Sequence, residues 1–252
     1  MEWPQLRREI VTATARVCEL LCLVPAGDLP LARVSWSAAE TGAHLVSLPR
    51  RYRPMVSGPR PLPESLARDN EQALAAVPER DPRVLADLLA TEVAELLDVL
   101  GTDGQRPAWY FTVPHTTAGL GAVLLTELLV HGLDLARATR RPWPITRPQA
   151  TACIGGVLPA VAAVADPVAV GTYHLHVRGG EDWTIDIRDG AVTVAPGRPP
   201  RADLHFSVDP VAFLLNAYGH LGRTRALLTG RLVAWGRKPW LAGRFAAAFR
   251  ET

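Results

Sequence analysis

The sequence predicts an α+β protein in which a four-helix bundle over residues 1–145 precedes a smaller α+β domain over residues 146–252. Apolar residues recur at helical spacing through most of the first part, whereas alternation with period two dominates after position 170. Between the two parts, RPWPITRPQ at residues 141–149 has the composition of a linker. A chain of 252 residues is long enough for two such domains.

The helices of the first domain are predicted from apolar stripes and from start and stop signals. They span approximately residues 6–24, 37–49, 82–100 and 117–139. The second has the clearest start, because Ser37 and Glu40 have the spacing of a capping box. Residues 49–63 are rich in proline and arginine, which predicts a long exposed loop that covers a site.

The second domain is predicted to contain a mainly antiparallel sheet. TYHLHVRG, DWTIDIRDG and AVTVAP alternate with period two and are separated by turn residues, so they are read as consecutive antiparallel strands. ADLHFSVD is a fourth strand and RLVAWG a short last one. Helices are predicted at residues 149–165, at DPVAFLLNAYG with Asp209 as its cap, and at PWLAGRFAAAFR. His174 and His176 share one strand face and are predicted to face solvent.

Composition narrows the functional classes. The net charge of +2 gives no reason to expect a nucleic-acid partner or an anionic membrane. The chain has no uninterrupted apolar run of about 18 residues, and MEWPQLRREI lacks the pattern of a signal peptide. Three cysteines without repeated spacing are typical of the reducing cytoplasm. A monomer is expected, because the bundle uses the apolar stripes of its helices.

The stretch TELLVHGLDL, residues 126–135, carries the strongest chemical signal. One helix face holds Leu120, Leu124, Glu127, His131 and Leu135. A buried carboxylate must be paired or coordinated, since leaving it bare costs several kcal/mol. If His44 of the second helix faces this pair, two imidazoles and one carboxylate suit zinc or another divalent first-row metal, with one coordination position open. The alternative is a hydrogen-bonded Glu–His pair that fixes helix register.

Two longer stretches, VSWSAAETGAHLV and LLTELLVHGLDLARATRRPWPI, resemble the signature segments of the DinB-like, mycothiol-dependent maleylpyruvate isomerase family. The resemblance implies a DinB-like bundle with His44, Glu127 and His131 as metal ligands. Trp36 and Asp134 occupy neighbouring motif positions. GRLVAWGRKPW resembles the second domain of the same family, a sterol-carrier-like α+β module.

The family resemblance implies mycothiol as the thiol cosubstrate. A thiol with a pKa near 8.5 is mostly protonated at neutral pH, and binding to Zn²⁺ would convert it to a thiolate. The thiolate would attack an electrophilic small molecule. An isomerase would release the thiol again and an S-transferase would keep it attached, and the motif does not separate these two activities.

Further residues are expected to serve the reaction: His115 as an acid or base, Arg223 and Arg231 in catalysis, and Arg237 and Tyr52 in cofactor binding. The arginines lie in the family-like stretch and match carboxylates bidentately. Tyr52 belongs to the proline-rich segment predicted to cover the site. His220 stands where the family often has arginine, which indicates a substrate other than maleylpyruvate.

A competing hypothesis makes the protein a carrier of lipids or small ligands, with the bundle as a scaffold. Sterol-carrier-like modules enclose an apolar pocket between sheet and helices. The candidate lining residues are Phe206, Phe213, Leu214, Leu215 and Tyr218. A metal assay separates the hypotheses, because a carrier has no need of one zinc ion per chain.

Overall fold

The computed structural model describes residues 1–161 and 169–248. The chain forms two compact units, and the boundary between them lies between Ile145 and Thr146. The first unit is helical and the second contains a sheet with helices. The predicted α+β fold class is therefore confirmed.

The first unit is built on long helices with well-defined ends. Its α-helices are α1 Trp3–Leu23, α2 Ala38–Tyr52, α3 Leu66–Ala75, α4 Pro82–Leu100 and α5 Thr117–Ala138. The capping box predicted at the start of α2 is present, with Ser37 and Glu40 each bonded to the backbone of the other. Asp81 caps α4, and Gly101 ends it with a φ of 70°. Helix α1 packs against α4 and α5, and α2 packs against α4 and α5.

The prediction of a long exposed loop over residues 49–63 is wrong for residues 49–56, whereas residues 57–63 form neither helix nor strand and are exposed or half-buried. Helix α2 continues through Pro49 to Tyr52, and a 3-10 helix follows at Arg53–Val56. Tyr52 and Met55 are each 3% exposed, so their burial offsets the helix hydrogen bond that Pro49 cannot make. Helix α3 and a hairpin of strands β1 Pro107–Tyr110 and β2 Val113–Thr116 were not predicted. Both strands are too short to show a period.

Helix α5 lies in the middle of the first unit. Among the described residues it is the one helix that has the length and composition to cross a membrane, and 78% of its apolar window is buried. Polar residues such as Glu127 and His131 interrupt its leucines, so it contains no uninterrupted apolar run of about 18 residues. Contacts with α1, α2 and α4 explain why α5 is apolar on nearly all sides.

The second unit contains a five-stranded sheet with the order β5-β4-β3-β6-β7 among its described residues. The strands are β3 Gly171–Val177, β4 Asp182–Arg188, β5 Ala191–Pro196, β6 Leu204–Val208 and β7 Leu232–Gly236. Strand β3 runs parallel to β6, and the other pairs are antiparallel. The mainly antiparallel sheet is confirmed.

The helices of the second unit are α6 Arg147–Val161, α7 Pro210–Ala217, α8 Arg223–Leu228 and α9 Leu241–Ala248. Helix α6 begins inside the predicted linker, and the short α8 was not predicted. Residues 162–165 of one predicted helix and 249–250 of another lie outside the described residues. One sheet face forms the core with α6 and α9, through residues such as Tyr173, Leu175, Ile154 and Phe245.

Candidate metal centre

Two helices bring three metal-binding side chains together. Glu127 and His131 lie one turn apart on α5, and their Oε2 and Nε2 atoms are 3.3 Å apart. On α2, His44 lies seven residues after the N-cap Ser37, and its Nε2 atom is 3.7 Å from the same Glu127 oxygen. One donor atom from each residue lies within 4.8 Å of the other two.

These separations fit a metal ion. Bonds of about 2.0–2.2 Å at tetrahedral angles place neighbouring ligand atoms roughly 3.3–3.6 Å apart. The two separations from Glu127 Oε2, 3.3 and 3.7 Å, are close to that range. The two imidazole planes are inclined at 75°, so both nitrogens can approach one point from different directions.

Burial and charge prepare the donors for a cation. The side chains of His44, His131 and Glu127 are 4%, 11% and 18% exposed. Burial is the largest effect on the His44 pKa and lowers it, which favours a neutral ring with a free lone pair. Burial alone would raise the pKa of Glu127, but the two adjacent imidazoles lower it overall and keep the carboxylate charged. Glu127 is the most exposed of the three side chains.

The surroundings of the imidazoles also resemble those of a metal centre. Asp134 Oδ2 lies 4.0 Å from His131 Nδ1, on the side of the ring that faces away from Glu127. Asp134 is 3% exposed, and burial raises its pKa. Trp36 packs over both rings, with its centroid 4.6 Å from that of His44 and 6.1 Å from that of His131. A carboxylate behind a metal-binding histidine orients its ring.

Comparison with known protein families accounts for both units. Residues 8–136 match the model of the mycothiol maleylpyruvate isomerase N-terminal domain, which is more than half of the chain. The chain belongs to this family. Residues 159–237 match the SCP-2 sterol transfer family, so the second domain of the resemblance is present as well.

Two solved structures are similar to the whole chain or to part of it. The crystal structure of the mycothiol-dependent maleylpyruvate isomerase covers 93% of this chain and 93% of its own, with a TM-score of 0.54 and 12% identity. At that identity, the likeness shows a shared fold. Sterol carrier protein 2 like 2 from Aedes aegypti covers 37% of this chain and 94% of its own, with a TM-score of 0.33 and 21% identity. No match was found among curated proteins.

Two residues near the cluster of His44, Glu127 and His131 were not predicted from the sequence. Burial, and to a smaller extent the charge of Glu127, raise the pKa of Tyr110 to about 12. Arg51 lies seven residues after His44 on the same face of α2, and it bonds Asp69 and Asn70 of α3. Tyr110 belongs to the unpredicted hairpin, whereas the spacing of seven residues would have identified Arg51.

Two other predicted site residues of the bundle lie outside the cluster of donors. The His115 ring packs on Gly119, which precedes Glu127 by eight residues, or about 12 Å of helix rise. Tyr52 is buried at the end of α2, and its ring meets Tyr110 edge-on at 6.2 Å. The premise that Tyr52 belongs to an exposed loop is therefore wrong, while its contact with a cofactor stays a prediction.

The remaining predicted site residues belong to the second unit. Arg223, Arg231 and Arg237 are exposed there, and their roles stay predictions. His220 is 8% exposed, so this position holds a buried imidazole. The prediction that His174 faces solvent is wrong, because it is 4% exposed among polar neighbours on the sheet.

Proposed function

We propose that this protein is a metal-dependent, mycothiol-dependent enzyme that acts on an electrophilic small molecule, as an isomerase or an S-transferase. The observation that carries the proposal is the convergence of His44, Glu127 and His131 in a chain of this family. A buried Glu–His pair alone would fix helix register without an imidazole from a second helix. The third donor, from α2, therefore favours metal binding over that alternative.

In this proposal, His44 and His131 bind a divalent ion through Nε2, and Glu127 binds it through Oε2. The ion would supply the positive charge that lowers the pKa of a thiol and holds it as the thiolate. Zinc is the first candidate, and other first-row metals accept the same ligands. Asp134 would keep the His131 ring in position, and Trp36 would shield both rings from water.

The substrate chemistry follows from the nucleophile. In the isomerase version, the thiolate adds to an electron-poor carbon of a conjugated double bond and leaves a delocalised carbanion. The resulting single bond rotates, and elimination restores the alkene and releases the thiolate. In the transferase version, the carbon–sulfur bond persists, and either a proton adds or a leaving group departs with its electron pair. His115 is proposed to move the proton, while Arg223 and Arg231 bind substrate carboxylates. Arg237 and Tyr52 are proposed to contact mycothiol.

The carrier hypothesis remains as a second candidate, because residues 159–237 match a sterol transfer family. Two of its proposed pocket residues, Phe206 and Leu214, are 6% and 3% exposed. Phe206 belongs to the core that joins the sheet to α6 and α9. Packing of this kind is what an ordinary core requires, so the enzyme is the better-supported candidate.

We further propose that the protein is a cytoplasmic monomer whose partners are small molecules, with no role for nucleic acid or a membrane. Its three cysteines are free, as the reducing cytoplasm requires. Its small net charge also supports this proposal.

Metal content tests the proposed function directly. The protein is incubated with Zn²⁺, freed of excess ion and analysed for zinc, alongside the variants His131→Ala and Glu127→Gln. We expect the wild type to bind one ion per chain at this site, and either variant to bind that ion at least tenfold more weakly. His115→Gln is the matched control, because it removes an imidazole outside the cluster of donors and should retain the ion.

A second measurement tests the thiol. Mycothiol should raise the melting temperature of the zinc-loaded wild type and have no effect on zinc-free His131→Ala. A wild type that binds no tight zinc ion, or variants that bind zinc as the wild type does, would contradict the proposal.

A further inference from the structure

A cluster of imidazoles lies on the face of the second unit's sheet that is opposite the core. Strand register places His174 of β3 beside His205 of β6, and His205 beside Trp235 of β7. On the other side of β3, His176 pairs with Asp182 of β4. Because side chains alternate along a strand, all five residues share one face.

The side chains of this cluster are in direct contact. The Nδ1 atoms of His174 and His205 are 3.0 Å apart. On the other edge of the ring, His174 Nε2 faces Asp182 Oδ1 at 3.4 Å and has no well-formed hydrogen bond within the described residues. His176 Nδ1 lies 2.6 Å from the same carboxylate oxygen. Asp182 therefore stands between two imidazoles, and His174 between Asp182 and His205.

Charge and burial favour a ligand role for His174. It is 4% exposed, and burial lowers its pKa, so the ring is held neutral. Burial alone would raise the pKa of Asp182, but the hydrogen bond from His176 and the proximity of His174 lower it overall. The positive charge of Arg198 also lowers the His174 pKa, whereas the negative charge of Asp182 acts in the opposite direction.

Two nitrogens that face each other at 3.0 Å must share either a proton or a cation. Zinc–nitrogen bonds of about 2.0–2.1 Å at a tetrahedral angle separate the two nitrogens by roughly 3.3–3.4 Å. An opening of a few tenths of an ångström would therefore admit an ion. A carboxylate on the far nitrogen is the usual partner of a metal-binding histidine, since it fixes the tautomer that leaves the other nitrogen free.

We propose that His174 and His205 form a second metal site, which binds a divalent first-row transition ion such as Zn²⁺ or Ni²⁺ through their Nδ1 atoms. Asp182 positions the His174 ring, and water completes the coordination. Hydrogen bonding between adjacent strands fixes the separation of the two rings, so the site is organised before the ion arrives. This site lies in the second unit and does not depend on the function proposed for the bundle.

The test uses Zn²⁺ alone and the full-length chain. The titration is carried out in His131→Ala, which weakens the site in the bundle, and is followed by calorimetry. We expect one remaining ion per chain. Adding His205→Phe should weaken that binding at least tenfold while retaining an aromatic ring against Trp235, which stacks on His205 at 5.4 Å. Adding Asp182→Asn should weaken it about 10–100-fold.

A matched control removes a histidine elsewhere. Adding His115→Gln to His131→Ala should leave the remaining ion bound. Because His205 is only partly buried, the His205→Phe chain should fold, and circular dichroism checks this. If Zn²⁺ binding in His131→Ala is absent, or is unchanged by His205→Phe, the two nitrogens share a proton and the proposal is overturned. Failure of the bundle site would instead appear as unchanged tight zinc binding in His131→Ala.

Discussion

Gly132, next to the metal-site histidine on α5, is expected to be essential for packing. A Cβ atom at this position would lie 2.1 Å from Cζ2 of Trp143, far inside van der Waals contact. Trp143 is 9% exposed, and its indole N–H donates to the Leu129 carbonyl at 2.9 Å. The guanidinium of Arg16 packs over the Trp143 ring, 4.0 Å from its centroid. Gly132→Ala must therefore displace the indole.

The size of the effect follows from these contacts. Overpacking a dense core costs about 1–3 kcal/mol, and losing the indole hydrogen bond costs about 1 kcal/mol more. Alanine is about 1 kcal/mol better than glycine inside a helix, which offsets part of this cost. We expect Gly132→Ala to lower the free energy of unfolding by about 2 kcal/mol.

Urea unfolding followed by circular dichroism measures this change. Gly155→Ala is the matched control, because Gly155 is also helical and the nearest atom to an added Cβ is 3.8 Å away. That variant should be stabilised by up to about 1 kcal/mol. Combining Gly132→Ala with Trp143→Ala should cost less than the two changes added together, since Trp143→Ala removes the ring with which the new methyl group clashes. A Gly132→Ala protein as stable as the wild type would refute the reasoning.

Three other predictions test caps, charge and thiol exposure. Ser37→Ala should lower the free energy of unfolding by about 1 kcal/mol in urea, while Ser37→Thr should nearly retain it; equal losses would contradict the capping role. Burial alone would raise the pKa of Asp209, but its helix-cap hydrogen bond and a neighbouring arginine lower it overall. Its stabilising effect is thus present above the unfolded pKa of about 3.9 and is lost as pH falls further, so Asp209→Asn should flatten the acid side of the stability profile. Burial raises the pKa of Cys18 to about 11, whereas Cys22 is exposed. Labelling with a thiol reagent at pH 8 should therefore begin at Cys22, and Cys22→Ser should remove the fast phase.

Local signals in the sequence predicted those helix ends in the first unit that are fixed by capping residues. The start of α2 was predictable because the side chains of Ser37 and Glu40 each accept a hydrogen bond from the other's backbone N–H, within four residues of chain. The end of α2 was not, because Pro49 normally stops a helix and only the burial of Tyr52 explains why this one continues. The hairpin that contributes Tyr110 was not predictable, because strands of four residues are too short to show an alternation of polar and apolar residues.

The sequence by itself determined the helix face shared by Glu127 and His131, because a spacing of four residues is a property of the helix alone. It also determined the family, through motifs that lie within single segments. Only the tertiary structure decided that His44 reaches Glu127 and that His174 lies buried beside His205. Both contacts join segments far apart in sequence, and the packing of whole helices and the register of non-consecutive strands fix them.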